Sequence, residues 1–201
     1  MIMNPKILNH FKKNDVILYE AALTYDEPLE LKVRDDLFLH LCKDIIGQQL
    51  SGRVSDVIFG RFVKLFPTKK LSPKLVRKKS VEELRSVGMS YAKARFIIDL
   101  ATKVDDKVVK LEHLEKKSNE EVIVELTKVK GIGPWTAEMF LMFSLGRPDV
   151  FSTGDLGLKR AIQKLYKIKK EPTAKQLLKI SAPWSPYRTY ACCVLWDSID
   201  G

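Results

Sequence analysis

The chain has 201 residues, 45% of them hydrophobic, enough for one compact unit or two small lobes, and nothing in the composition suggests disorder. No stretch approaches the ~20 apolar residues of a membrane span, and Met1–Phe11, interrupted by Asn4, Pro5 and Lys6, does not read as a secretory leader. Thirty-five Lys and Arg against 25 Asp and Glu leave a net charge of +10, the footprint of a protein that neutralises phosphates, although many basic proteins bind nothing anionic. Cys42 and the adjacent Cys192 and Cys193 fit reduced thiols rather than a disulfide framework. His10, His40 and His113 stand far apart, with no metal-ligand spacing.

The pattern is helical throughout, and the predicted class is all-α. Leu37, Leu41 and Ile45 recur at four-residue steps, and Val54, Val57, Ile58 and Phe62 form a second apolar stripe ended by Pro67. Ser80-Val-Glu-Glu83 and Ser118-Asn-Glu-Glu121 are capping-box patterns, the second opening a helix over Val122–Val129. Ser90 caps a helix carrying Ala94, Ile97, Ile98 and Ala101. Pro134 suits the first turn of a helix running to about Leu145, where Gly146 and Pro148 stop it. Further helices start near Asp155, Ala174 and after Pro186. Val108–Leu111 is the only short strand candidate and reads better as a loop.

Leu126-Thr-Lys-Val-Lys-Gly-Ile-Gly-Pro-Trp-Thr-Ala137 is the most specific stretch. Gly131 and Gly133 flank one apolar residue between two helices, which allows a sharp turn. Their amides lie at a helix N-terminus, where unsatisfied N–H groups and the positive dipole end attract a phosphate. Ile132 is expected beneath the turn as its anchor, with the Thr136 hydroxyl, Lys128 and Lys130 as further DNA contacts. A glycine-capped turn between two helices would satisfy Gly-x-Gly alone. The full string resembles the helix-hairpin-helix motif, which implies that the backbone carbonyls of Thr127, Val129 and Ile132 hold a monovalent cation (Na+ or K+) that bridges to a DNA phosphate.

Such hairpins occur in ligases, nucleases and polymerases as well. With Asp149-Val-Phe-Ser-Thr-Gly-Asp155-Leu-Gly-Leu-Lys159 downstream, the sequence resembles the helix-hairpin-helix–Gly/Pro–Asp superfamily of base-excision glycosylases. The closer likeness is to its alkylpurine branch, of the 3-methyladenine DNA glycosylase II type. Ile45-Ile-Gly-Gln-Gln-Leu-Ser51, Gly88-Met-Ser-Tyr-Ala-Lys93 and Trp184-Ser-Pro-Tyr-Arg-Thr-Tyr-Ala191, followed by Trp196, agree with it. The likeness spans about Asp36 to Trp196; the first 30 or so residues match no motif. It implies two helical lobes with the active-site cleft between them. Residues 1–35 and 146–201 would form one, and residues 36–145 a bundle carrying the hairpin (126–145).

The resemblance further implies that Asp155 is the catalytic residue, although an Asp at a helix start is often only a cap. Breaking an N-glycosidic bond passes through an oxocarbenium-like state, which a fixed carboxylate beside C1′ stabilises. The same group can orient or deprotonate water. Asp149 is expected to support the loop. Lyase-competent relatives carry a lysine where this chain has Trp135, so a monofunctional glycosylase is implied. Cys192 and Cys193 cannot supply the four closely spaced cysteines of an iron–sulfur cluster.

Trp135 and Trp196 occupy base-pocket positions of the branch, and Met139 stands where some relatives place another aromatic. Core packing accounts for either tryptophan as well. A rim of aromatic side chains would favour a cationic alkylated purine once it leaves the stack. The junction Gln48-Gln49-Leu50-Ser51 implies a minor-groove plug, with Leu50 or Ser51 as wedge and Gln49 on the exposed bases. Ser90 and Lys93 would contact the opposite backbone. The expected substrate is duplex DNA with damaged, 3-methyladenine-like bases, handled by a monomer that needs no cofactor and no membrane, in the cytoplasm or nucleoid (the nucleus in a eukaryote). Two other readings stand: a glycosylase or lyase for 8-oxoguanine or a deaminated purine, and a non-catalytic protein that recognises DNA shape.

Overall fold

The computed structural model describes residues 3–26, 29–66 and 71–200. Among these it contains twelve α-helices, two 3-10 turns and no strand. In chain order the first six helices are α1 (Pro5–Asn14), α2 (Val16–Thr24), α3 (Leu37–Gly47), α4 (Gly52–Lys64), α5 (Pro73–Val76) and α6 (Val81–Ser86). There follow α7 (Tyr91–Asp105), α8 (Asn119–Leu126), α9 (Pro134–Phe143), α10 (Leu156–Leu165), α11 (Ala174–Ser181) and α12 (Arg188–Asp200). The chain divides into two compact units, Met1–Lys32 with Gly146–Gly201, and Val33–Leu145.

The first unit joins both ends of the chain around a polar knot in an apolar core. Asp15 caps α2 by accepting the Leu18 amide at 3.1 Å. Its other oxygen accepts the Tyr166 hydroxyl at 2.6 Å and the Trp184 indole N–H at 2.8 Å. Trp184 is fully buried and meets Phe151 edge to face, with ring centroids 5.8 Å apart. Burial, and then the neighbouring Asp15, push the Tyr166 hydroxyl far above its ordinary pKa. The opening residues, which match no motif, thus supply part of this core. Asp149 supports its loop: its carboxylate accepts Arg188 Nε at 2.7 Å, Arg188 Nη2 at 2.9 Å and Ser185 Oγ at 2.8 Å. The buried Thr189 hydroxyl donates to the Arg147 carbonyl at 2.6 Å, fastening the same segment to α12.

The second unit follows the caps written in the sequence. Ser80 with Glu83 and Ser118 with Glu121 form complete capping boxes, and Ser90 accepts the Lys93 amide. Leu41, Ile45, Phe62, Leu84, Ile97, Leu100, Leu126 and Phe140 are fully buried, each worth about 1.5–3 kcal/mol of burial. Two expectations need correction. Of the α4 stripe, Ile58 and Phe62 are buried, but Val54 and Val57 are 46% and 49% exposed, so the inward face is narrower than the sequence suggests. The α8 helix begins at Asn119 and ends at Leu126, because Thr127–Gly133 is taken up by the hairpin. Pro67, read as the stop of α4, lies outside the described residues.

Candidate functional site

The hairpin between α8 and α9 is anchored from below. Val129 and Ile132 are 2% and 4% exposed, so both apolar residues of the turn are buried. Gly131 has φ +85°, and a Cβ there would stand 2.2 Å from the Phe96 ring; this glycine is required by the fold. Gly133 differs. Its φ is −91° and its ψ 176°, and nothing lies within 4 Å of a Cβ placed on it. Gly133 is also the N-cap of α9 and offers no side chain to cap it, so α9 opens without a side-chain cap hydrogen bond. Pro134, at N1, has no amide to satisfy.

Helix α7 braces the hairpin through residues that sequence reasoning did not single out. Asp99 accepts the Lys130 amide at 2.8 Å and Lys103 Nζ at 2.8 Å, while Lys103 also donates to the Lys128 carbonyl at 2.6 Å. Burial pushes the Asp99 carboxyl up, but these donors outweigh it and hold the group below its ordinary range. The i, i+4 spacing of Asp99 and Lys103 is a legible helix pair; that it reaches the hairpin is a tertiary fact. Of the motif's three cation carbonyls, that of Val129 accepts the Ile132 amide at 3.1 Å. Those of Thr127 and Ile132 take no hydrogen bond from another described residue.

The junction between α3 and α4 lies against the same hairpin. Gln48 Nε2 donates to the Gly131 carbonyl at 2.8 Å and to the Thr136 hydroxyl at 3.4 Å. Thr136 is therefore a buried acceptor within the protein rather than an open hydroxyl. Gln49 is exposed in the left-handed region at φ 57°, and Leu50 beside it is 37% exposed. Ser51 precedes α4 without a capping bond. Two lysines expected on DNA are engaged by acceptors within the protein, Lys93 half-buried and Lys128 exposed. Lys93 Nζ donates to the carbonyls of Ile46 at 2.8 Å and Gln48 at 2.6 Å, closing the C-terminus of α3. Lys128 Nζ pairs at 2.7 Å with Glu125, which is 8% exposed. In both cases a buried acceptor outcompetes solvent for the ammonium.

Trp135 is 45% exposed, so it is not a core residue. It lines two cavities within the Val33–Leu145 unit. One, of about 340 Å³, is walled by Asp44, Gln48, Gln49, Leu50, Trp135 and Met139, among others. The other, of about 480 Å³, is bordered by Ser90, Lys93, Phe96, Gly131 and Trp135. Asp44, absent from the sequence-derived candidates, is buried enough that its carboxyl is pushed up to about 7.

In the other unit Asp155 is 6% exposed at the N-terminus of α10. Its Oδ1 accepts the Leu158 amide at 2.7 Å and the Trp196 indole N–H at 3.0 Å. Trp196, expected as a pocket wall, thus donates its indole N–H to Asp155. Among the described residues no group of three or more His, Cys, Asp and Glu is placed to hold a metal ion, and all three cysteines are buried free thiols.

The family model for HhH-GPD superfamily base excision DNA repair proteins matches residues 42–186. The DNA-3-methyladenine glycosylase of Saccharomyces cerevisiae is 32% identical, the match covering 96% of this chain and 75% of that protein. Among solved structures, the DNA-3-methyladenine glycosidase of Bacillus halodurans superposes with a TM-score of 0.82 at 35% identity, covering 97% of this chain and 89% of that one. The 3-methyladenine DNA glycosylase of Schizosaccharomyces pombe in complex with abasic DNA gives 0.80 at 30% identity, covering 96% and 95%.

Proposed function

The chain belongs to the HhH-GPD superfamily of base excision DNA repair proteins, and on that premise we propose that it is a monofunctional DNA glycosylase. It hydrolyses the N-glycosidic bond of alkylated, 3-methyladenine-like purines in double-stranded DNA. The observation that carries this reading is the buried Asp155 carboxyl, fixed at a helix start with Oδ1 held by Leu158 and Trp196. One oxygen is thereby oriented by two donors, and the carboxyl faces the sugar without having to reorganise. Negative charge beside C1′ is favourable only as the bond breaks and the sugar becomes cationic, so it lowers the barrier rather than binding the ground state. Water then attacks C1′, with the same carboxyl orienting it or taking its proton; the base departs and an abasic site remains.

The second unit holds the DNA. The start of α9 and the opening left by Gly133 suit a backbone phosphate. The uncommitted Thr127 and Ile132 carbonyls, with that of Val129, are neutral oxygen donors that fit a monovalent cation, which would supply charge toward the same phosphate. Leu50 and Gln49 are exposed where a plug and a base contact are needed, and Trp135 supplies an aromatic wall for an electron-poor base. Trp135 replaces the lysine that a Schiff-base route requires, which supports hydrolysis over strand cleavage.

The decisive assay is base release from duplexes carrying 3-methyladenine, with Asp155→Asn as control. The amide oxygen of Asn can still accept from Leu158 and Trp196, so the variant should fold and bind DNA while release drops about a thousandfold. DNA binding without release by the wild type would leave the shape-recognition reading standing. A covalent adduct trapped by borohydride would overturn the monofunctional assignment.

A further inference from the structure

Among the described residues lining the ~340 Å³ cavity beside Trp135 and Met139, Asp44 is the sole acidic side chain. It lies on α3 one turn before the Gln48–Ser51 junction and shares the cavity wall with Trp135. No hydrogen-bond donor from another described residue satisfies that carboxyl. A half-buried acid without a donor is costly as a structural element. It is suited to an occupant that brings its own positive charge or N–H group.

The surrounding charges are committed elsewhere. Lys43, the residue before Asp44 and the one cationic side chain among the described residues of the cavity wall, is 3.0 Å from Asp56 on α4. His40, one turn earlier on α3, has its pKa lowered by burial and by Arg34 and Lys43, which disfavours a positive charge there. Lys93 on α7 is bound to the Ile46 and Gln48 carbonyls. Ser55 from α4 and Trp135, Thr136 and Met139 from α9 complete the wall and carry no charge.

We propose that Asp44 is a specificity-determining residue that reads the positive charge of the extruded base, pairing more strongly with a cationic alkylated purine than with a neutral one. The proposal rests on the glycosylase reading above. Aromatic stacking alone rewards any flat base; a carboxyl at the rim of the stack adds an attraction that is largest for a charged base. Burial pushes the free carboxyl up to about 7, with Lys43 partly offsetting it, so an incoming cation shifts the group toward its ionised form and displaces its proton. Preference for cationic bases should therefore rise with pH through that range and level off above it.

Two measurements on wild type and Asp44→Asn test this. Tryptophan fluorescence titrations with 3,9-dimethyladeninium, a permanently cationic base, and neutral 9-methyladenine read binding without catalysis. The wild type should favour the cation about tenfold near pH 8 and much less near pH 5.5, and the variant should show neither the preference nor the pH step. Single-turnover release of 7-methylguanine should fall about tenfold in the variant, with hypoxanthine release changing less than about twofold. A preference that survives in the variant, or equal losses on both lesions, would overturn the proposal. If the wild type releases neither base yet its binding preference depends on Asp44, the failure lies with the glycosylase reading and not with Asp44.

Discussion

At the scale of single residues, three carboxyls of one chemical type are given three tasks by their surroundings. Asp155 is held at a helix start by an amide and an indole. Asp149 is held by Arg188 and Ser185; burial pushes its carboxyl up, but these donors outweigh it and keep the group below its ordinary range. A depressed folded-state pKa contributes stability that is present above the unfolded value of ~3.9 and is lost as pH falls through the folded one. Asp149→Asn should thus cost about 1–3 kcal/mol at neutral pH and much less near pH 3, read from urea unfolding at both pH values. Asp44 has the opposite sign. Its raised pKa gives stability that is complete below ~4 and is lost as pH rises through about 7. Asp44→Asn should be more stable than wild type by up to about 4 kcal/mol near pH 8, the gain shrinking steadily toward pH 4.

At the scale of elements, the hairpin separates glycines that shape the chain from glycines that leave room. Gly131→Ala drives a methyl into the Phe96 ring at a positive φ, so its melting temperature should fall by several degrees. Gly133→Ala meets nothing and keeps its backbone, and the gain from a stiffer unfolded chain offsets the poorer N-cap, so its melting temperature should hold while duplex affinity drops about tenfold or more. Equal melting losses in the two variants would show that the distinction is wrong. Much here is legible from sequence, because capping boxes and Pro–Gly punctuation are local signals: Ser80, Ser90, Ser118, Pro134 and Asp155 all open helices. What escapes is what depends on a distant partner. Nothing near Lys93 tells that its ammonium closes α3, and nothing near Asp44 tells that Trp135 and Met139 share its cavity. The width of the α4 stripe is misjudged for the same reason, since periodicity gives a face but not how much of it finds a neighbour.

At the scale of the whole molecule, the net charge of +10 belongs to DNA holding rather than to chemistry. Affinity for undamaged duplex should fall by a factor of ten or more between about 50 and 200 mM salt, with the single-turnover release rate at saturating enzyme nearly constant. A release rate that fell in parallel with affinity would mean that phosphate contacts assist the chemical step itself. The first unit carries its own lesson about range. Asp15, in the stretch without a motif, bonds Tyr166 and Trp184 more than 150 positions away in the chain. A search for motifs passes over such a residue, although without it two buried donors lose their acceptor.

The opening at Gly133 also bears on engineering. With φ at −91° and no atom within 4 Å of an added methyl group, it is the position where a stability-guided redesign would first replace glycine. Such a change would gain about 0.4–1 kcal/mol by stiffening the unfolded chain, which the loss of a favourable N-cap glycine offsets. The resulting protein would melt at an unchanged temperature and pass every test of folding while its affinity for DNA had fallen. Thermal screens are therefore blind to this site, and only selection on repair would retain the glycine.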